Sequence, residues 1–339
     1  MGRSRPGPIT YRVTDRDQGI RLDLFLKERI PRMSREGIKE AIRTRVAIPR
    51  RTRVRPSTTL RSGDEVIVDW PRAGEDDPAR AAAAEPIRVL RDDGVILAVD
   101  KPAGLIVHAT ARSRGVSLLG ILAAKHDPLH LVHRLDRETS GVVVLARTME
   151  AARNLSSAFA SGEVEKIYVA IVFGVVGRDE GTIDLPIGKD SRSTVHVKQG
   201  VDASSGRPAR TEFRVVERLE GFTLLELHPR TGRRHQIRVH LQAIGHPLVG
   251  DKLYGAREAH HLRFLARGFD ERMKRDLIAE RQLLHAARVT LRHPRTARRV
   301  TITSPMPGDM AAFIGEHRGP SWVESGPASR RRAVEQGLP

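Results

Sequence analysis

The stretch His133-Arg134-Leu135-Asp136-Arg137-Glu138-Thr139-Ser140-Gly141 sets one aspartate among cations and small hydroxyl residues, directly before the apolar run 142–145. A carboxylate at the mouth of a strand, surrounded by positive charge, stays ionised and can attack or deprotonate whatever is bound there. The same residue types also build turns, in which Asp, Thr and Ser side chains satisfy nearby backbone groups. Spacing alone favours the turn, so the rest of the chain has to decide.

The 339 residues, 39% of them hydrophobic, suffice for two domains with real cores. Lys and Arg number 59 against 41 Asp and Glu, a formal charge of +18. That excess marks a binder of polyanions and makes nucleic acid the leading partner. Aromatic residues are only 4%, so an aromatic contact to a base has to be individually placed rather than part of a stacking platform. No apolar run approaches about 18 residues and the N-terminus lacks a signal-peptide core, so no membrane role is expected and the cytoplasm is the default. The absence of cysteine removes disulfides, thiolate metal sites and cysteine nucleophiles. His235 and His240, five apart, fall on different faces of a helix, and neither common phosphate-binding glycine loop is present. Neither a metal nor a nucleotide cofactor is expected.

Along the chain, residues 1–17 read as flexible. Leu22, Phe25, Leu26 and Ile30 fall at helical spacing, and Ser34 can cap a second helix carrying Ile38, Ala41 and Ile42. Ser62-Gly63-Asp64 supplies a turn before a short strand at 66–68. Residues 32–61 hold ten Lys or Arg against two Glu, a density that favours phosphate contacts over a merely solvated face. Residues 71–85 read as a linker. Strands are expected at 95–99, 142–145, 166–173, 212–216 and 222–227. Helices are expected from the cap Thr148 through Ser161, and through Ile237, Leu241 and Ile244 up to Gly245. The uneven connections suggest an α+β fold with a mixed, largely antiparallel sheet and helices on its faces. Residues 315–339 read as a disordered basic tail.

Three further segments carry chemistry-bearing residues. Val99-Asp100-Lys101-Pro102-Ala103-Gly104 is a strand entering a tight turn, or a pocket wall. Lys166-Ile167-Tyr168-Val169-Ala170 contains one of only three tyrosines, suited either to the core or to stacking beneath an extruded base. In Thr231-Gly232-Arg233-Arg234-His235-Gln236-Ile237-Arg238-Val239-His240-Leu241, helical spacing puts Arg234 and Arg238 on one face, opposite Ile237, Leu241 and Ile244. Such a pair can bind a phosphate, or one arginine can pair with a buried carboxylate.

Together with Gly245-His246-Pro247, Gly250-Asp251, Gln282-Leu283-Leu284-His285-Ala286 and His293-Pro294, these motifs closely resemble the RNA pseudouridine synthases of the RluA class, over residues 87–313. Residues 18–70 resemble the S4-type RNA-binding domain through Arg21-Leu22-Asp23, Phe25-Leu26, Ser34-Arg35 and Leu60-Arg61-Ser62-Gly63-Asp64-Glu65-Val66. The chain departs from that pattern at Ala47-Ile48-Pro49-Arg50-Arg51, where proline replaces a flexible turn.

The first resemblance implies the pseudouridine synthase fold at 86–314 and isomerisation of a uridine in RNA, ribosomal or else transfer RNA, by a cofactor-independent monomer. It makes Asp136 the catalytic aspartate, acting on the sugar C1′ as a nucleophile or on the C2′ proton as a base. Arg238 pairs with it and Tyr168 packs on the base. Arg134 holds the flipped-out state, while Arg234, Lys101, His133, Arg35 and Lys39 are the remaining candidate RNA contacts. A non-catalytic RNA-binding protein and a uracil-releasing glycosidase are the competing readings; the glycosidase usually needs a second acid.

Overall fold

The computed structural model describes residues 9–30, 35–49, 51, 54–68, 86–108, 116–193, 195, 197–255 and 259–318. Strands β1 (Ile9–Arg12), β2 (Val46–Ala47) and β3 (Glu65–Val68) form a small antiparallel sheet in the order β1-β3-β2. Helices Leu22–Arg29 and Arg35–Arg45 bury Leu22, Phe25, Leu26, Ile38 and Ile42 against Val66 and Val68, as the 3.6-residue spacing requires. The structure differs from the sequence reading at residues 1–17, because Ile9–Arg12 is a strand and Asp15–Asp17 a 3-10 turn. The Asp17 carboxylate accepts from the Thr14 backbone and hydroxyl and from Arg29, closing a turn that no apolar periodicity announces. At the departing turn, Arg51 donates to the Thr59 carbonyl and to Asp64. Ser34, Arg50 and the expected linker 71–85 lie outside the described residues.

The second sheet has ten strands. In chain order they are β4 (Arg88–Asp92), β5 (Ile96–Lys101), β6 (His130–Leu131), β7 (Ser140–Ala146), β8 (Glu165–Phe173) and β9 (Glu180–Asp184), then, after the separate hairpin β10 (Ile187–Lys189) and β11 (Gln199–Val201), β12 (Arg210–Leu219), β13 (Phe222–Pro229), β14 (Leu284–Arg292) and β15 (Arg299–Thr303). The order is β4-β5-β7-β14-β8-β13-β12-β9, with β6 on β7 and β15 on β14. Only β7 and β14 run parallel, so the sheet is mixed and largely antiparallel.

The unbroken apolar run in β7 follows from its place in the middle. Side chains alternate faces along a strand. Val142, Val144 and Ala146 pack with the helix Met149–Ser161, while Val143 and Leu145 pack with the helix Leu118–Ala123 on the other side. A strand covered on both faces needs apolar residues at every position. The helix Met149–Ser161 is bounded as its sequence dictates: the Thr148 hydroxyl accepts from the Ala151 N–H, and Gly162 closes it at φ 84°. The short edge strand β9 was not legible, since only Ile183 in it is buried. The C-terminal helix Gly308–Glu316 runs into the segment read as a tail, and Arg318 pairs with Glu217 at 2.7 Å. Among the described residues no helix is long and apolar enough to cross a membrane.

Close backbone approach explains why a glycine, Gly141, stands at the start of β7. At φ 111°, a Cβ there would sit 2.3 Å from the Ala286 carbonyl oxygen across the parallel β7–β14 pair. Gly141→Ala is expected to destabilise the protein by about 1–3 kcal/mol in denaturant unfolding. The control Gly221→Ala, at φ 75° with open space around it, is expected to cost only about 1 kcal/mol.

Candidate active site

Between β6 and β7 the chain is extended and anchored on alternate residues. The His133 Nε2 accepts from the Val144 N–H at 2.9 Å, and its ring stacks on Phe159 at 4.2 Å. Burial, reinforced by Lys166, drives its pKa down to about 3, so it is a neutral bracket for the loop. Leu135 is buried in the core beneath. The two residues out of phase with these anchors, Arg134 and Asp136, both line two cavities, of about 350 and about 380 Å³, that meet at this loop.

The loop then turns. The Asp136 carbonyl accepts from the Thr139 N–H, the Thr139 hydroxyl from the Gln282 amide at 2.7 Å, and Ser140 bonds His285 at 3.0 Å. The turn and the partly exposed carboxylate are therefore one structure: the small hydroxyl residues fix the backbone that presents Asp136.

Opposite Asp136 stands Arg238, on the helix Gln236–Ala243. Its Nη1 donates to Asp136 Oδ2 at 2.9 Å, while Nε and Nη2 grip both oxygens of Asp251 at 2.7 and 2.9 Å. Asp251 is fully buried and also accepts from the Leu253 and Tyr254 N–H groups, each at 2.9 Å. Burial alone would push the Asp136 carboxyl up, but the charge and hydrogen bond of Arg238 outweigh it and leave the pKa below the ordinary carboxylate value. Burial likewise opposes the charge on Arg238, and the two carboxylates more than offset it, so the guanidinium stays protonated.

The helix carrying Arg238 begins at Gln236, not earlier. His235 precedes it with φ 56° and ψ 19°, a left-handed conformation costing about 1–3 kcal/mol for a non-glycine residue. This corrects the expectation that Arg234 and Arg238 share a helical face: Arg234 sits before the helix, exposed, and lines only the larger cavity. The reason is Gln236, whose amide spans the Thr231 hydroxyl, the Arg233 N–H, the Arg210 carbonyl and Thr211. His240, one turn on, bonds Thr211 and the Leu185 carbonyl.

Tyr168 lines the smaller cavity from β8, and burial together with Asp136 raises its pKa, so it remains a neutral phenol. Lys166, two residues earlier on the same strand face, lines that cavity too; burial lowers its pKa, and it has no hydrogen bond or ion pair among the described residues. Lys101 lies elsewhere. Fully buried, it donates to the Pro102, Leu105 and Arg137 carbonyls, tying the 102–105 turn to the backbone next to Asp136, with burial drawing its pKa down to about 7. Arg35 and Lys39, on the helix Arg35–Arg45, line neither of the two cavities at Asp136. Sequence reasoning missed Lys166, His235, Asp251 and Tyr254 as site residues. All stood inside or beside quoted motifs, but the side-chain partners of His235, Asp251 and Tyr254 are 13 to 99 positions away.

A family model for RNA pseudouridylate synthase matches residues 95–243. The ribosomal large subunit pseudouridine synthase D of Nitrosomonas europaea is 34% identical over 90% of this chain and 87% of its own length. The protein of the same name from Xanthomonas campestris pv. campestris is also 34% identical, over 90% of this chain and 91% of its own. The chain belongs to the RNA pseudouridylate synthase family. Like other pseudouridylate synthases it is an isomerase, converting uridine in RNA to pseudouridine. The solved structure titled human RNA pseudouridylate synthase domain containing 4 aligns with a TM-score of 0.53 at 26% identity, over 70% of this chain and 94% of that one. The mixed sheet with its flanking helices is thus the pseudouridine synthase fold.

In this pseudouridylate synthase Arg238 is the only cation hydrogen-bonded to Asp136 among the described residues. Arg238→Gln is expected to raise the Asp136 pKa, because the main group opposing burial is then gone; a carbon-13 carboxyl titration by NMR reads the direction. Leaving Asp251 buried and unpaired is expected to cost about 3–5 kcal/mol of stability.

Proposed function

We propose that this isomerase acts on a uridine of large-subunit ribosomal RNA in the cytoplasm, as a monomer, with Asp136 as its catalytic carboxylate. The observation that carries the reading is the 2.9 Å bond from Arg238 to Asp136 at the meeting point of two cavities. A carboxylate held ionised there can add to the sugar C1′ or remove the C2′ proton. In either route the C1′–N1 bond breaks, a C1′–C5 bond forms, C5 gives up its proton and N1 takes one, so the net change is zero. The names of the relatives support the ribosomal substrate.

The roles follow from position and charge. Tyr168 packs against the uracil ring and offers a protonated hydroxyl. Arg134, exposed and without an ion pair among the described residues, holds the flipped-out state against unstacking of a few kcal/mol. Lys166 is a half-buried cation without an ion pair among the described residues, a costly arrangement that a phosphate of the target strand would relieve. Arg234 adds a phosphate contact at the mouth of the larger cavity. Lys101 and His133 act by holding the loop. Residues 18–70 form an S4-like RNA-binding domain in which Arg35 and Lys39 contact the backbone, 71–85 link it to the catalytic domain 86–314, and 315–339 add a basic tail.

Asp136→Asn is expected to reduce pseudouridine formation more than about 10³-fold while RNA binding, by filter retention, persists; free uracil in the product would point to a glycosidase instead. Tyr168→Phe is expected to lose only about 3- to 10-fold. For Lys166→Met, the slope of log affinity against log salt is expected to shrink by about 0.7–0.9, the share of one phosphate contact.

A further inference from the structure

The turn Asp251-Lys252-Leu253-Tyr254 contacts the Asp136 segment directly through Lys252, and Asp251 and Tyr254 each bond a residue that stands next to Asp136. Asp251 grips Arg238, which donates to Asp136 Oδ2. Lys252 donates to Glu138 at 2.7 Å, occupying the nearest other carboxylate in the catalytic loop. The Tyr254 hydroxyl accepts from the Gln199 N–H at 2.8 Å and lies 2.8 Å from His235 Nδ1. The phenol, which accepts from Gln199, can donate its own proton to Nδ1, and with that assignment the imidazole proton is on Nε2, the tautomer that histidine NMR reads. That Nε2 faces Asp136 Oδ1 at 3.8 Å. His235 takes up this place through a left-handed backbone that favours few side chains. Burial, stronger than the pull of Asp136, draws its pKa down to about 4, so the ring is neutral near pH 7.

We infer that Asp251 and Tyr254 are positioning residues of the isomerase, orienting the Asp136 carboxylate through two arms, Asp251 by way of Arg238 to Oδ2 and Tyr254 by way of His235 to Oδ1. The inference rests on Asp136 being the catalytic group. Neither residue touches the reacting nucleotide. Arg238 supplies the charge that keeps the carboxylate ionised, and the His235 ring stands beside the second oxygen at 3.8 Å, close enough to bond it after a small movement of the carboxylate. A carboxylate with one oxygen gripped and the other faced by a neutral donor keeps one orientation toward the sugar, which is what an attacking or proton-abstracting group needs. Gln199 stands in β11 of the separate hairpin, so the second arm also ties that hairpin to the site.

Tyr254→Phe is the deciding variant. It keeps the ring over Arg238, 4.8 Å away, and removes only the hydroxyl. Nitrogen-15 NMR of histidine is expected to show His235 as the Nε2–H tautomer in the wild type and as a mixture of tautomers in Tyr254→Phe. Single-turnover kinetics on a ribosomal RNA fragment are expected to show kcat reduced about 10-fold with KM unchanged. Asp251→Asn, assayed likewise, is expected to lose about 10²-fold in kcat, again without a change in KM. A Tyr254→Phe enzyme with the wild-type tautomer and wild-type kcat, or with its loss confined to KM, would overturn the inference and leave the assignment of Asp136 intact. Turnover retained by Asp136→Asn in the same assay would remove the group being positioned, and the inference with it.

Discussion

The site depends on one guanidinium shared between two carboxylates. Arg238 is buried, and a buried cation is costly unless paired and hydrogen-bonded. Asp251 supplies both, in fork geometry, and is itself satisfied by two backbone N–H groups. Asp251 takes the Nε N–H and one on Nη2, and of the three N–H groups that remain one, on Nη1, goes to Asp136. The trio carries one net negative charge, and it resides where solvent and substrate can reach it. Asp136 is the partly exposed member, whereas Asp251 is sealed. Remote fold elements converge on this arrangement: the β6–β7 loop brings Asp136, a helix brings Arg238, and the turn after Gly250 brings Asp251.

The rest of the catalytic unit holds those three in register. Gly141 lets β7 and β14 approach closely enough to pair in parallel, and Gln282, just before β14, reaches back to Thr139 in the loop. His133 and Leu135 anchor the loop from below, and the three carbonyls around Lys101 hold its far side. Neutral histidines recur here as brackets. His133, His240 and His285 each bond a backbone group, and burial lowers the pKa of all three. These three motif histidines thus hold backbone in place, whereas His235 bonds the Tyr254 side chain.

Much of this was legible in the sequence. The period-2 and period-3.6 patterns located β5, β7, β8, β12, β13 and both helices of the N-terminal unit, because those elements bury a continuous face. Strands β1, β2, β4, β6, β9, β10, β11 and β15 were missed because they are short or exposed at edges, where little burial constrains the side chains. Asp136 and Arg238 could be singled out by charge and motif. Asp251 and Tyr254 could not be given roles, since each acts through a partner that only the tertiary fold supplies. The shared face assigned to Arg234 and Arg238 failed for a local reason: Gln236 and the left-handed His235 start the helix after Arg234, and no periodicity encodes that break.

The central claim is that Asp136 is held ionised by Arg238 throughout the physiological range. A single-turnover pH profile of pseudouridine formation by the wild-type enzyme tests it most directly. With the carboxyl pKa below its ordinary value, protonation removes activity only as the pH falls through that lowered pKa. The rate is therefore predicted to be flat on the acid side from about pH 8 down to about pH 5. An acid limb titrating near pH 6, traced to Asp136 by its carboxyl NMR signal, would contradict the account.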